Sequence, residues 1–291
     1  MSISMDAACL QCSLRRNLET AQPLGSAEDT MDFARELMRL YLDGPKDVPS
    51  TWYTPKIAML LHRKYGLDLD RFRQEKLQSN ALVLSHMPAI RQRVWEAEDP
   101  VLAGLQFAIL GNYLDFSALQ GQVSFEKFAQ MLDSAGQMQF DMEVFDRLCQ
   151  DLKRGKKLLY LTDNAGEIGF DRIFAEAICQ ACPQLEITFC VRGGPTLNDA
   201  TREDAAAVGI PFRIIDNGNL IPGTQLDQLG AEAKQALDAA DVILAKGMAN
   251  VETLYGCGYN IYYAFLVKCQ RFVTLFNKPL MTPMLVSETG R

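Results

Sequence analysis

The sequence predicts an α/β protein with a three-layer α/β/α core around a mainly parallel sheet, preceded by an all-helical N-terminal portion. Two observations carry this. Short, continuously apolar, β-rich runs occur at Leu158 to Thr162, Ile187 to Val191, Phe212 to Ile215 and Val242 to Ala245, with helical stretches between them. Such runs are too short and too apolar for half-exposed hairpin strands. Separated by helix-length intervals, they suit right-handed crossovers and a sheet covered on both faces. Ahead of them, from Met1 to about Gln150, strand signals are nearly absent. The chain therefore divides near Lys153-Arg154-Gly155-Lys156-Lys157 into a helical portion, 1–150, and an α/β portion, 151–291.

In the first portion, apolar residues recur at three- and four-residue spacing from Met31 to Leu42 and from Pro55 to Tyr65, which is the pattern of amphipathic helices. Asp43-Gly44-Pro45 and Asp47-Val48-Pro49-Ser50 interrupt them as turns. Thr54-Pro55 reads as a cap and first helical residue, and Asp99-Pro100 opens a helix through Phe107. In the second portion a helix is expected to begin around Thr196 to Thr201. Tyr259 to Phe272 reads as helical, and Phe272 to Phe276 as one more strand. The stretch from Asn277 to Arg291 carries no pattern.

Composition narrows the function. With 291 residues and 48% of them hydrophobic, the chain can bury a full core. Lys+Arg 29 against Asp+Glu 36 gives a net charge of −7, which speaks against a nucleic-acid footprint or a polybasic membrane surface. No apolar run reaches the ~18 residues a membrane span needs. Met1 to Arg16 lacks the charged-then-apolar order of a secretory signal, so a cytoplasmic protein is expected, with neither membrane nor nucleic acid as partner. The eight cysteines are scattered, several of them (Cys149, Cys179, Cys190) within apolar segments, as reduced core cysteines are. The Cys9/Cys12 and Cys179/Cys182 pairs lie too far apart for a zinc ribbon, and Cys9/Cys12 is at most a weak metal or redox signal. Only His62 and His86 are present, both in the helical portion, which argues against His-centred catalysis.

The loops after the predicted strands carry the chemistry. Asp163-Asn164-Ala165-Gly166-Glu167 succeeds the first strand, Arg192-Gly193-Gly194-Pro195 the second, Asp216-Asn217-Gly218 the third and Lys246-Gly247 the fourth. Parallel strands bring these loops to one edge, where α/β proteins bind ligands. Asp163, Asn164 and Asp199 offer hard oxygen donors of the kind that suit Mg²⁺, Mn²⁺ or a similar divalent ion, although Asp199 taken alone reads rather as a helix N-cap or first-turn acid. Lys246, directly after an apolar strand, is placed to bind an anion. Lys268 is read either as a solvated lysine or as part of the site. The glycine-rich turn of a dinucleotide or methyl-donor site is missing, as is the P-loop. Ala165 occupies the place of the second acid that a phospho-aspartyl mechanism of the haloacid-dehalogenase type would need.

At these motifs the chain resembles the DUF89, or damage-control phosphatase, family. The matching stretches are Leu161 to Glu167 with Phe170-Asp171, Val191-Arg192-Gly193 with Asn198-Asp199-Ala200-Thr201, and Lys246-Gly247-Met248-Ala249-Asn250-Val251-Glu252. Fainter matches are Cys9-Leu10-Gln11-Cys12, which resembles the opening of the family's microbial branch, Lys76 with Asn80, and Gly111-Asn112-Tyr113-Leu114-Asp115-Phe116. The resemblance implies a metal-dependent phosphatase with a helical portion packed on an α/β/α core. It implies a metal held by Asp163, Asn164 and Asp199, and phosphate contacts from Lys246 and Asn250.

The expected function is hydrolysis of a small phosphorylated metabolite, a sugar phosphate or damaged phosphometabolite, with one divalent ion (Mg²⁺, Mn²⁺, Co²⁺ or Ni²⁺) activating water. Asp163, Glu167 and Lys246 are the expected catalytic residues. Gly166, Arg192, Gly247, Asn250 and Lys268 are expected to hold substrate. A protein carboxyl methyltransferase using S-adenosylmethionine and a non-catalytic phosphometabolite-binding protein are the alternatives.

Overall fold

A computed structural model describes residues 3–114, 132–133 and 135–288. Six strands, β1 (Lys157–Leu161), β2 (Glu186–Val191), β3 (Arg213–Asp216), β4 (Val242–Lys246), β5 (Ile261–Leu266) and β6 (Pro283–Ser287), form one sheet in the order β3-β2-β1-β4-β5-β6. All neighbours are parallel except β5 and β6. The chain leaves β1 toward β2 and β3 on one side and returns to place β4 on the other. The crevice between the carboxyl ends of β1 and β4 is thus a topological switch point, where such sheets bind ligands.

The described helices are α1 (Ala7–Ala21), α2 (Ala27–Leu42), α3 (Thr54–Tyr65), α4 (Arg73–Glu96), α5 (Pro100–Gly111), α6 (Met142–Arg154), α7 (Glu167–Ala181), α8 (Arg202–Ala207), α9 (Ala231–Ala239), α10 (Gly247–Leu254) and α11 (Gln270–Phe276). Local signals fix several boundaries. Asp99 caps α5 by accepting from Val101 N and Leu102 N, both at 3.0 Å, with Pro100 in the first position. Ser26 and Asp29 close a capping box on α2.

Strand alternation sorts the core into two layers. Leu158 and Tyr160 of β1 and Val242 and Leu244 of β4 face α5, α6 and α7, whereas Leu159 and Leu161 of β1 and Ile243 and Ala245 of β4 face α9, α10 and α11. The first layer already contains Leu105, Ala108 and Ile109 of α5, so the apolar core runs straight through the boundary at residue 150. Two glycines allow α5 to lie close on α7. A Cβ on Gly104 would stand 3.0 Å from Phe174 Cα, and one on Gly111 would stand 3.3 Å from Glu167 Cα. Helices α1, α2 and α3 form their own apolar cluster around Phe33, Leu37 and Leu61.

The four predicted strands are present. Three local expectations are corrected. Ile261–Leu266, read as part of a helix, is the fully buried strand β5. Phe272 to Phe276, read as a strand, lies in α11, where Phe272 and Phe276 pair at helical spacing with ring centroids 5.6 Å apart and Asn277 ends the helix in the left-handed conformation. The stretch after Asn277, which showed no pattern, supplies the antiparallel edge strand β6. Asp115 and Phe116 lie outside the described residues.

Candidate active site

Between β1 and α7 the chain makes a tight passage through Thr162-Asp163-Asn164-Ala165-Gly166. Gly166 has φ 76°, and a Cβ there would fall 2.8 Å from Ser79 Cβ of α4, so only glycine fits this turn. The loop after β2 is pinned beside it, with Ala200 N donating to Asp163 O at 2.8 Å and Ala165 N to Asn198 O at 2.9 Å. Asn164 and Asp199 face each other across an antiparallel bridge. The expected helix at 196–201 is corrected by this geometry. α8 begins only at Arg202, Thr201 takes the capping position, and Asp199 lies in the loop against Asn164.

Around the switch point, five carboxylates (Asp163, Glu167, Asp171, Asp199, Asp204) and three cations (Lys76, Arg192, Lys246) are buried. Lys246 Nζ meets Glu167 Oε1 at 2.5 Å, Asp171 Oδ1 at 2.9 Å and the Ala108 carbonyl at 2.7 Å. Arg192 Nε donates to Asp199 Oδ2 at 2.6 Å and Arg192 Nη2 to Thr162 O at 3.1 Å. Lys76 Nζ pairs with Asp204 Oδ2 at 2.6 Å. Among the described residues, Asp163 alone of the five carboxylates has no cationic hydrogen-bond partner. Its Oδ2 takes amide N–H groups from Asn112 at 2.9 Å and Asn164 at 2.8 Å. The same two amides reach Glu167 Oε2 at 2.9 and 3.0 Å.

Burial, then the charges of Glu167 and Asp199, push the Asp163 carboxyl well above its ordinary range, with Lys268 and Arg192 pulling it back in part. Burial raises Asp171 to about 6 despite the Lys246 ammonium beside it. For Lys246, burial works against the charged form, but the Asp171 and Glu167 carboxylates outweigh it and hold the ammonium.

This geometry turns several expected substrate contacts inward. Val242, Leu244 and Lys246 share one face of β4, so strand alternation aims Lys246 at α5 and α7 rather than into an open cleft. Its three N–H donors match three acceptors. Asn250, fully buried, donates to Thr162 O and Lys246 O and accepts from Thr224 Oγ1. The Gly166 N–H is taken by Asn80 Oδ1 at 2.7 Å. Arg192 is enclosed, with Nη1 left without a partner. Lys268, half-buried just past β5, keeps some exposure. Gly247, with φ 75°, lies against the Asp163 carboxylate.

Sequence reasoning assigned no role to Asn112, Asp171 or Asp204. Two signals were readable. Glu167 and Asp171 are four apart on one helix face, and Thr201-x-x-Asp204 is a capping-box spacing. Asn112 lies in the faint Gly111 to Phe116 match, but nothing local announces its partners, because Asp163, Glu167 and Leu266 are all distant in sequence.

The donor set fits a hard divalent ion. Asp163 Oδ1 and Asn164 Oδ1 receive no protein donor among the described residues, and carboxylates exceed cations in the buried cluster. No group of three His, Cys, Asp or Glu side chains suited to a metal is found among the described residues, and the third oxygen donor beside Asp163 and Asp199 is the Asn164 amide. Cys9 and Cys12 sit on α1 as free thiols, with Cys9 Sγ 3.1 Å from Arg271 Nη1.

The family described as the damage-control phosphatase ARMT1-like domain matches residues 5–282. A damage-control phosphatase of Archaeoglobus fulgidus is 33% identical over 222 residues, covering 74% of this chain and 75% of that protein. An uncharacterised protein of Methanocaldococcus jannaschii is 31% identical over 288 residues, covering 92% and 90%. The crystal structure of a DUF89 family protein from Pyrococcus horikoshii superposes with a TM-score of 0.84 at 26% identity, covering 98% of this chain and 99% of that one.

Proposed function

Because the chain belongs to the family of damage-control phosphatase ARMT1-like domains, we propose that it is a metal-dependent phosphatase acting on small phosphomonoesters, sugar phosphates or damaged phosphometabolites. The observation that carries the metal dependence is Asp163, a buried carboxylate with no cationic hydrogen-bond partner among the described residues, in a cluster where acids outnumber bases. Asp163, Asn164 and Asp199 would hold one divalent ion (Mg²⁺, Mn²⁺, Co²⁺ or Ni²⁺). When bound, such an ion supplies Lewis-acid activation of a phosphoryl oxygen and of a coordinated water.

The remaining residues serve that centre. Arg192 holds the second oxygen of Asp199, which fixes the carboxylate. Lys246 keeps Glu167 in place, and Glu167 in turn orients the Asn164 amide so that its oxygen points away from the carboxylates. Lys268 is the cation that retains exposure at this edge, and its charge reaches Asp163. It is the side chain assigned to the substrate phosphoryl group, with the bare backbone at Gly247 allowing close approach. The eight free cysteines suit a reducing cytoplasmic setting.

The test is a phosphatase screen over sugar phosphates with Mg²⁺, Mn²⁺, Co²⁺ and Ni²⁺ after stripping with chelator. Turnover that requires an added ion, and its loss in a folded Asp163→Ala variant, is the expected result. Full activity of Asp163→Ala, or binding of phosphometabolites without turnover under any ion, would overturn the reading.

A further inference from the structure

We propose that Asn112 is a positioning residue for the metal centre, its amide deciding which oxygens of Asp163 and Asn164 are left to face the ion. This rests on the phosphatase reading above and concerns a residue of the helical portion.

Asn112 comes directly after the last turn of α5 and is 1% exposed. Both ends of its amide are engaged. Oδ1 accepts from Leu266 N at 3.3 Å, and Nδ2 donates to Asp163 Oδ2 and Glu167 Oε2, each at 2.9 Å. The polarity of the amide is therefore fixed. Reversed, it would set an oxygen against two carboxylates and an NH₂ against a backbone N–H.

Asn164 donates to the same pair of oxygens, so two amides and two carboxylates close a ring of four groups. In this ring Asp163 presents Oδ2 to the amides and keeps Oδ1 for another partner. Asn164 commits its nitrogen and keeps its oxygen. Without Asn112, only one amide would separate two like-charged carboxylates in a buried setting, and the Asp163 carboxylate would be free to rotate away from the Asn164 arrangement.

The end of α5 is shaped for this task. Asn112 N bonds back to Ile109 O and Leu110 O, which tightens the turn and leaves Ala108 O to accept from Lys246. Gly111 lets this turn approach Glu167. One helix end therefore supplies both the Asn112 amide and a carbonyl for the lysine that anchors Glu167.

The experiment uses the full chain stripped with chelator and titrated with Mn²⁺ by calorimetry, and with Co²⁺ by visible absorption. Leu110→Ala, a core truncation in the same turn, serves as the control for loss of packing. Asn112→Ala is expected to weaken Mn²⁺ binding about 10- to 100-fold and to alter the Co²⁺ bands, while Leu110→Ala leaves both as in the wild type. Unchanged affinity and bands in Asn112→Ala, or the same losses in Leu110→Ala, would overturn the proposal. Should Asn112→Ala fail to fold, Asn112→Asp keeps the volume and the oxygen for Leu266 N while removing the donors. Altered Co²⁺ bands are then expected, and unaltered ones overturn the proposal. A wild-type chain that takes up neither ion overturns the metal-dependent reading itself.

Discussion

Gly247 is packed against Asp163 so closely that a Cβ on it would fall inside the Asp163 carboxylate. Its φ of 75° adds a backbone cost of about 1–2 kcal/mol for any L side chain. Gly247→Ala is therefore expected to displace Asp163, with phosphatase activity down at least about 100-fold. Steady-state kinetics with saturating metal, alongside a thermal melt, checks this. Wild-type kinetics in the variant would show that the contact does not govern the site.

Lys246 serves here as the counter-charge of two buried carboxylates. Lys246→Met leaves Glu167 and Asp171 unpaired and is expected to cost about 3–5 kcal/mol in a urea melt. Adding Asp171→Asn should return part of that stability. A lysine whose task were to contact substrate would behave differently, raising KM at unchanged stability.

With Asp163 as a ligand of the proposed ion, metal binding would be linked to pH. Its carboxyl is raised by burial first and by Glu167 and Asp199 next, so the folded, metal-free chain holds a proton that the unfolded chain has released above its ordinary value of 3.8. Stability of the metal-free form accordingly falls as pH rises from that value through the raised one. An ion held by Asp163 would compete with this proton, so its affinity would rise over the same window. The stabilisation by Mn²⁺, read as a rise in Tm, should grow as pH rises above 3.8, and at a hundredfold excess over Kd it amounts to about 2.7 kcal/mol. A metal-induced shift that shrinks with rising pH would contradict the assignment.

The strut from α4 is open to a separate test. Asn80 accepts from Gly166 N and donates to Asp204 Oδ1 at 2.8 Å. Asn80→Ala leaves both without this partner and should cost about 1–3 kcal/mol. Faster amide exchange at Gly166 than in the wild type is the local readout, and unchanged exchange there would remove Asn80 from the support of this loop.

The placement of the candidate loops was legible because they succeed apolar strands whose parallel order could be read from their spacing. Asp163, Asn164 and Asp199 converge for that reason. The direction of Lys246 was legible in principle from its register with Val242 and Leu244, yet a lysine at a strand end suggests a cleft, and only the position of α5 shows otherwise. Ile261–Leu266 misled because a strand buried on both faces has no alternation to show, so its apolar run is indistinguishable from a buried helix. Phe272 and Phe276 misled in the opposite sense: a short aromatic cluster reads as β, whereas their spacing of four positions serves a helix packed on Phe265. Asn112 and Lys76 act on partners more than fifty and a hundred residues away, and no local pattern encodes such a meeting.

The hydrogen bond from Leu266 N to Asn112 Oδ1 joins residues 154 positions apart, and Lys246 reaches 138 positions back to Ala108. Closing loops of that length carries an entropy cost, so these contacts are expected to form late. A chain with only its sheet assembled would hold the acids of α7 and of the loop after β1 without the groups that orient them. Uptake of an ion would then report completed folding of both halves of the chain, and apparent metal occupancy during refolding should lag behind the recovery of helix and strand signals.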